Sequence, residues 1–203
     1  LPARSGLGTS SSFSVGLINA LNALNGQMSS KKELADEAIR IEQEIMLESV
    51  GSQDQVWAAY GGFNRISFNS DGSYEVSPIL VTKKQRKELL GSFMLFFTGF
   101  SRYSGKLAER QIANFKNKNK ELNLINDFTN DATKILQENT GIVTNLGHLM
   151  HEGWQIKREL AEGVSTPEID EIYDAGIEAG ATGGKLLGAG GGGFMLFIVQ
   201  PEN

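Results

Sequence analysis

The sequence predicts an α+β fold, in which helices and antiparallel strands are mixed without regular alternation. Three observations carry this. Residues 9–25, 30–45 and most of 104–162 place apolar side chains at helical spacing. Two strand-like runs, 63–69 and 74–81, flank Ser70-Asp71-Gly72-Ser73, a turn-rich hairpin signal. Phe-Met-Leu-Phe-Phe-Thr at 93–98 and the apolar run 195–199 are short and lie beside glycines, which favours strands, the first of them buried. There is no internal repeat.

Composition narrows the function classes. The chain has 203 residues, 40% of them hydrophobic, enough for one large domain or two small ones with a real core. Net charge is −5, which argues against a nucleic-acid partner held by a broad basic surface. Cysteine is absent, so thiolate and disulfide chemistry are excluded. No apolar run reaches the roughly 20 residues of a membrane-spanning helix, and no signal peptide is visible. The chain opens on Leu1 and directly on its strongest motif, so it reads as a piece of a longer protein.

That motif is Pro2-Ala3-Arg4-Ser5-Gly6-Leu7-Gly8-Thr9-Ser10-Ser11-Ser12. Two glycines and four hydroxyl residues lead into a helix whose apolar stripe is Phe13, Leu17, Leu21 and Leu24. The first N–H groups of a helix lack internal partners, and the macrodipole makes that end positive. Glycine lets a phosphate approach them, and the hydroxyls can bond phosphate oxygens or Mg²⁺. An ordinary Ser/Thr cap after a glycine turn fits the same residues. Further on, Ser30-Lys31-Lys32-Glu33 is a capping box for a second helix, with Leu34, Ala38, Ile41 and Ile45 on its buried side. Residues 50–55 read as a turn, followed by a short helix through Trp57 and Tyr60 that stops at Gly61-Gly62. The helical region 104–162 breaks near Asn119, Thr140 and Gly163; its Lys106, Arg110, Lys116, Lys118 and Lys120 form a solvated face. Ser165-Thr166-Pro167-Glu168 opens another helix, with Ile169, Ile172, Tyr173 and Ile177 as its stripe.

Gly188, Gly190 and Gly193 match Gly-x-Gly-x-x-Gly, but a strand follows them instead of a helix, so they are no dinucleotide fingerprint. The stretch from Gly99 to Gly105-Lys106 has one residue too many for a Walker loop, and Leu107 replaces the required hydroxyl. The glycine run 188–193 is then a flexible loop between two strands, suited to close backbone approach. Glu42 and Asp54 are the candidate acids; alone, Glu42 has the plainer reading of a helix boundary residue and Asp54 that of a local cap. A phosphate-binding helix calls for two such acids, one to hold Mg²⁺ and one to orient or deprotonate an attacking hydroxyl. His148 and His151 lack a third ligand and read as surface or boundary residues; Trp57 and Trp154 read as core or edge aromatics.

Three segments resemble the GHMP kinases, the superfamily of galactokinase, homoserine kinase, mevalonate kinase and phosphomevalonate kinase. Residues 2–12 resemble the family's phosphate loop, Gly51-Ser52-Gln53-Asp54-Gln55 the segment with its catalytic aspartate, and residues 185–194 its third motif, Lys-Leu-x-Gly-Ala-Gly-Gly-Gly-Gly. The resemblance spans essentially the whole chain. It implies a two-domain fold, a phosphate-loop domain over 1–80 and a ferredoxin-like C-terminal domain over 81–203, with the N-terminal part of the family fold and the extreme C-terminus missing. It makes Asp54 the catalytic aspartate. Pro2, Arg4, Ser5, Gly6, Leu7, Gly8, Thr9, Ser10, Ser11, Gly190 and Gly191 would meet ATP, and Glu42 with Thr9 or Ser10 would hold Mg²⁺. The wording of the phosphate loop, of Val-Gly-Ser-Gln-Asp-Gln-Val-Trp-Ala-Ala-Tyr-Gly-Gly-Phe-Asn and of Phe-Phe-Thr-Gly-Phe-Ser-Arg is similar to the bacterial D-glycero-D-manno-heptose 7-phosphate kinases. This implies a cytoplasmic enzyme that phosphorylates the anomeric hydroxyl of a sugar phosphate, with Arg4 and Arg102 as possible anion contacts and no nucleic-acid or membrane partner. The alternatives are another sugar 1-kinase, fucokinase-like or galactokinase-like, and a non-catalytic sugar- or nucleotide-binding homologue. The family's first motif, upstream of the phosphate loop, is absent; this implies that the isolated chain is inactive and that the stripe of the first helix is partly uncovered.

Overall fold

The computed structural model describes residues 6–100, 104–138 and 140–200; Pro2, Arg4, Ser5 and Arg102 lie outside them. The chain forms two compact units, passing between them at Leu7–Gly8 and Ile79–Leu80. The mixture is α+β, with two small antiparallel sheets among the described residues. No described helix is long and apolar enough to cross a membrane.

The unit Gly8–Ile79 contains α1 (Thr9–Leu24), α2 (Lys31–Arg40), a π-helical turn (Ile41–Ile45), α3 (Gln53–Tyr60) and the hairpin β1 (Asn64–Phe68) and β2 (Tyr74–Pro78). The capping box opens α2 as expected: Ser30 Oγ accepts the Glu33 N–H, and the Ser30 N–H donates to Glu33 Oε2 at 2.7 Å. Phe68 pairs with Tyr74 across the expected turn, where Asp71 Oδ1 accepts the Ser73 N–H at 2.9 Å. Val15 and Ile18 of α1 pack on Leu34 and Ala38 of α2, with Ala58 and Ala59 of α3 beside them. The packed face of α1 is therefore Ser11, Val15 and Ile18. Phe13, Leu17, Leu21 and Leu24 form a second apolar stripe on its exposed side. Helix α1 is apolar on both sides, and its contacts with α2 and α3 select the one that the stripe of larger residues did not mark.

The other unit contains α4 (Lys83–Ser92), β3 (Phe93–Phe97), α5 (Ser104–Asn114), α6 (Asn119–Ile135), α7 (Ile142–Lys157), α8 (Pro167–Glu178), β4 (Ala181–Leu186) and β5 (Phe194–Val199). Its sheet is antiparallel in the order β3-β5-β4, with Phe93 opposite Ile198 and Leu186 opposite Met195. Strand β3 is where the sequence put it, but it is an edge strand whose five side chains are exposed, not buried. Helices α7 and α8 pack on β4, around a core of Trp154, Val164, Ile169, Tyr173, Leu186, Met195 and Phe197. His151 is half-buried and shares a 2.8 Å hydrogen bond with the Tyr173 hydroxyl, while His148 is exposed.

The contact of α7 with β4 is set by glycine. A Cβ on Gly183 would overlap the Gly147 carbonyl oxygen. Backbone on both sides leaves no side chain to swing aside, so Gly183→Ala should destabilise the protein by about 3 kcal/mol. At Gly91 a Cβ meets open space, and Gly91→Ala should stay within about 0.5 kcal/mol of wild type. Thermal unfolding of the two variants checks this; equal melting temperatures would refute the close packing.

Candidate functional site

The unit Gly8–Ile79 brings together the start of α1, the π-turn and the start of α3. Gly8 caps α1 in the left-handed conformation (φ 65°), and no side-chain cap hydrogen bond forms there among the described residues. No acidic residue lies in that turn either. Where α2 and α4 close their ends with capping boxes, α1 leaves its positive end open.

Helix α2 passes into the π-turn, where the Met46 N–H reaches back five residues to the Ile41 carbonyl at 2.8 Å. The wider turn shifts the helical phase. Ile45, expected on the buried side, is 58% exposed, whereas Glu42 is 2% exposed. The turn ends at Leu47, whose positive φ of 53° is unusual outside glycine. The Glu48 N–H then donates to the Glu42 carbonyl at 2.9 Å.

Gln43 Nε2 donates to the Val50 carbonyl at 3.0 Å and to Ser52 Oγ at 3.2 Å. These bonds pin the segment that starts α3. Residues 50–55 are therefore not all turn: Asp54 and Gln55 already lie in the first turn of α3. Glu42 Oε2 accepts from Ser11 Oγ at 3.1 Å and from Gln55 Nε2, so one carboxylate ties three elements. Glu42 Oε1 is buried and has no partner among the described residues. The Asp54 carboxyl lies against Gly8, where an added Cβ would stand 3.4 Å from Oδ2. Partial desolvation, and second the Glu42 charge, hold the Asp54 carboxyl above the ordinary carboxylate range.

In the other unit, the run 188–193 joins β4 to β5 and is not flexible in the sense that its sequence suggests. The Gly191 N–H donates to the Val164 carbonyl at 3.0 Å, and the Gly193 N–H to the Phe100 carbonyl at 2.9 Å. Gln111 Nε2 donates to the Ala189 carbonyl at 2.6 Å, and Lys157 Nζ to the Gly188 carbonyl at 2.6 Å. At Gly190 (φ 118°) a Cβ would stand 2.7 Å from the Val164 oxygen, so close backbone approach is the reason for glycine there. Gly6 belongs to the same unit, and a Cβ on it would stand 2.6 Å from the Leu187 oxygen.

The expected residues Glu42, Asp54, Gly8 and the hydroxyls of α1 thus share one unit, with Ser11 on Glu42, Thr9 half-buried and Ser10 exposed. Gly190 and Gly191 are buried, and Gly191 spends its N–H on Val164. Sequence reasoning missed Gln55 as a partner of Glu42; its place next to Asp54 was the available signal. As to a metal, the described residues hold no cluster of three or more His, Asp or Glu side chains. A buried carboxylate with one unsatisfied oxygen, beside a row of hydroxyls, nevertheless matches the oxygen donors that a hard divalent cation takes.

An open helix end preceded by glycines, with two acids beside it, defines a phosphate-handling class of protein. Two family models match the chain: GHMP kinases N terminal domain over residues 1–62 and GHMP kinases C terminal over residues 131–203. The chain belongs to the GHMP kinase family. Among its relatives, the D-glycero-alpha-D-manno-heptose 7-phosphate kinase of Campylobacter jejuni is 32% identical, over 99% of this chain and 59% of that protein. The L-fucokinase/L-fucose-1-P guanylyltransferase of Bacteroides fragilis is 28% identical, over 98% of this chain and 21% of that protein. The crystal structure of a D-glycero-D-manno-heptose 1-phosphate kinase from Bacteroides thetaiotaomicron superposes with a TM-score of 0.76 at 28% identity, covering 100% of this chain and 55% of that one. The chain therefore spans between about a fifth and three-fifths of the length of these proteins.

The raised Asp54 carboxyl has a checkable consequence. The folded protein holds this proton more tightly than the unfolded chain, so stability is lost as pH rises from the unfolded value through the folded one. Asp54→Asn should be more stable than wild type at pH 7, and the gain should vanish below about pH 4, where an unperturbed Asp also protonates. Carboxyl ¹³C titration should show the Asp54 pKa falling in Glu42→Gln; an unmoved pKa would mean that the two acids are not coupled.

Proposed function

We propose that the protein is an ATP-dependent sugar kinase that transfers the γ-phosphoryl group, with Mg²⁺, to the anomeric hydroxyl of a sugar phosphate, D-glycero-D-manno-heptose 7-phosphate before others. The observation that carries this reading is the buried Glu42, tied to Ser11 at the open end of α1, with the Asp54 carboxyl alongside. We assign residues 1–80 to the nucleotide-binding domain and 81–203 to the C-terminal domain. Support for the sugar comes from the heptose kinases at 32% and 28% identity.

In this reading the free N–H groups of α1 hold phosphate oxygens. Glu42 Oε1, with Thr9 or Ser10, is the place for Mg²⁺, while Ser11 and Gln55 fix the carboxylate. Bound there, the ion would offset the negative charge of the phosphates. Asp54 orients the sugar hydroxyl and takes its proton at a carboxylate oxygen. The hydroxyl oxygen forms its bond to the γ-phosphorus as the bond to the β,γ-bridging oxygen breaks, and ADP leaves. The elevated Asp54 pKa suits a proton acceptor better than a fully solvated carboxylate does.

The test is turnover of ATP against a sugar panel, with wild type and Asp54→Asn compared on the best substrate. Asp54→Asn should lose about 10²–10⁴ in kcat with KM for ATP little changed. The product should show phosphorus coupling to the anomeric proton. Preference for fucose would move the assignment to the fucokinase-like alternative. Wild-type kcat in Asp54→Asn would remove Asp54 from catalysis, and no turnover with any sugar would favour a non-catalytic binding protein.

A further inference from the structure

The second unit holds a cavity of about 260 Å³ between α6, α7 and β4. Phe128 of α6 and Leu149 and Met150 of α7 supply apolar wall, and Trp154, Lys157 and Lys185 complete the lining. Trp154 is 1% exposed, and its indole Nε1 has no hydrogen-bond partner among the described residues. Trp154 lines the cavity, and its enclosed indole N–H reports on that wall. Neither lysine has an ion-pair partner among the described residues, and no carboxylate lines the cavity. Lys157 uses one donor on the Gly188 carbonyl and keeps the others.

We propose that this cavity binds a small organic anion, an apolar body of about one ring with a short chain that ends in a carboxylate or phosphate. The apolar wall takes the body, and the two ammonium groups take the acid. The volume suits this ligand, since a cavity of about 150 Å³ already holds benzene. A few convergent polar groups set in apolar surface are the usual make-up of a small-molecule site. Burial and the neighbouring Lys185 push the Lys157 ammonium down to about 7, a strain that a bound anion relieves. The cavity is lined by residues of the second unit alone, and the proposal does not depend on the kinase reading.

The indole N–H is itself the probe. The protein has two tryptophans, so Trp57→Phe leaves Trp154 as the one indole resonance in a ¹H–¹⁵N spectrum. Titration with 3-phenylpropionate and with phenyl phosphate should shift that resonance saturably for at least one of them, which also tells carboxylate from phosphate. The neutral 3-phenylpropanol should bind at least tenfold more weakly, and Lys185→Met should weaken the anion by a similar factor. No saturable shift with either anion would overturn the proposal. Equal affinity for acid and alcohol would overturn it as well, and this comparison needs no lysine variant to fold.

Discussion

The Glu42 carboxylate is the constraint on which the first unit depends. Taking such a group out of water costs several kcal/mol, on the order of what a whole small domain has to spare, unless its oxygens are satisfied. Here Ser11 of α1 and Gln55 of α3 meet one oxygen, and the other has no partner among the described residues. The chain reaches this arrangement by carrying Glu42 four residues past the buried Ala38, through a π-turn that leaves Ile45 exposed, and through a left-handed Leu47 that closes the turn. A fold that wanted only stability would place an apolar residue at 42. Retaining an acid there, with its neighbours drawn to it, is the arrangement expected where a charged ligand completes the set.

The second unit solves a different problem by a different means. Its glycine run is fixed by backbone packing and by hydrogen bonds from Gln111, Lys157 and the N–H groups of Gly191 and Gly193. Glycine serves there because Val164 and Phe100 lie too close for any side chain. Lys157 links the loop to the wall of the α6–α7 cavity, since its ammonium reaches the Gly188 carbonyl.

Local signals in the sequence translated directly into structure. Ser30 with Glu33, Thr166 before Pro167, and the Asp71-Gly72 turn each start or join an element through bonds within four residues, so the pattern alone suffices. Helix α4 carried a signal of the same kind, Thr82 with Gln85, but its three lysines and Arg86 mask any apolar stripe. The misreadings involve distant partners. Which stripe of α1 is buried depends on α2 and α3, and the exposure of β3 depends on its place at the sheet edge. Gly-Ser-Gln-Asp-Gln and the family resemblance singled out Asp54, and the structure sets its carboxyl against Gly8. Glu42 stands four residues after the buried Ala38, within ordinary helical spacing, but an acid there reads as a boundary residue; the exposure of Ile45 was not legible, because the π-turn breaks the helical count.

In the proposed function Glu42 keeps for a cation its second oxygen, which has no partner among the described residues. Crystals grown with Mn²⁺ and a non-hydrolysable ATP analogue, measured at the manganese edge, test it most directly. An anomalous peak within metal-ligand distance of Glu42 Oε1 is the expected result. A peak elsewhere, with Glu42 still held only by Ser11 and Gln55, would contradict it.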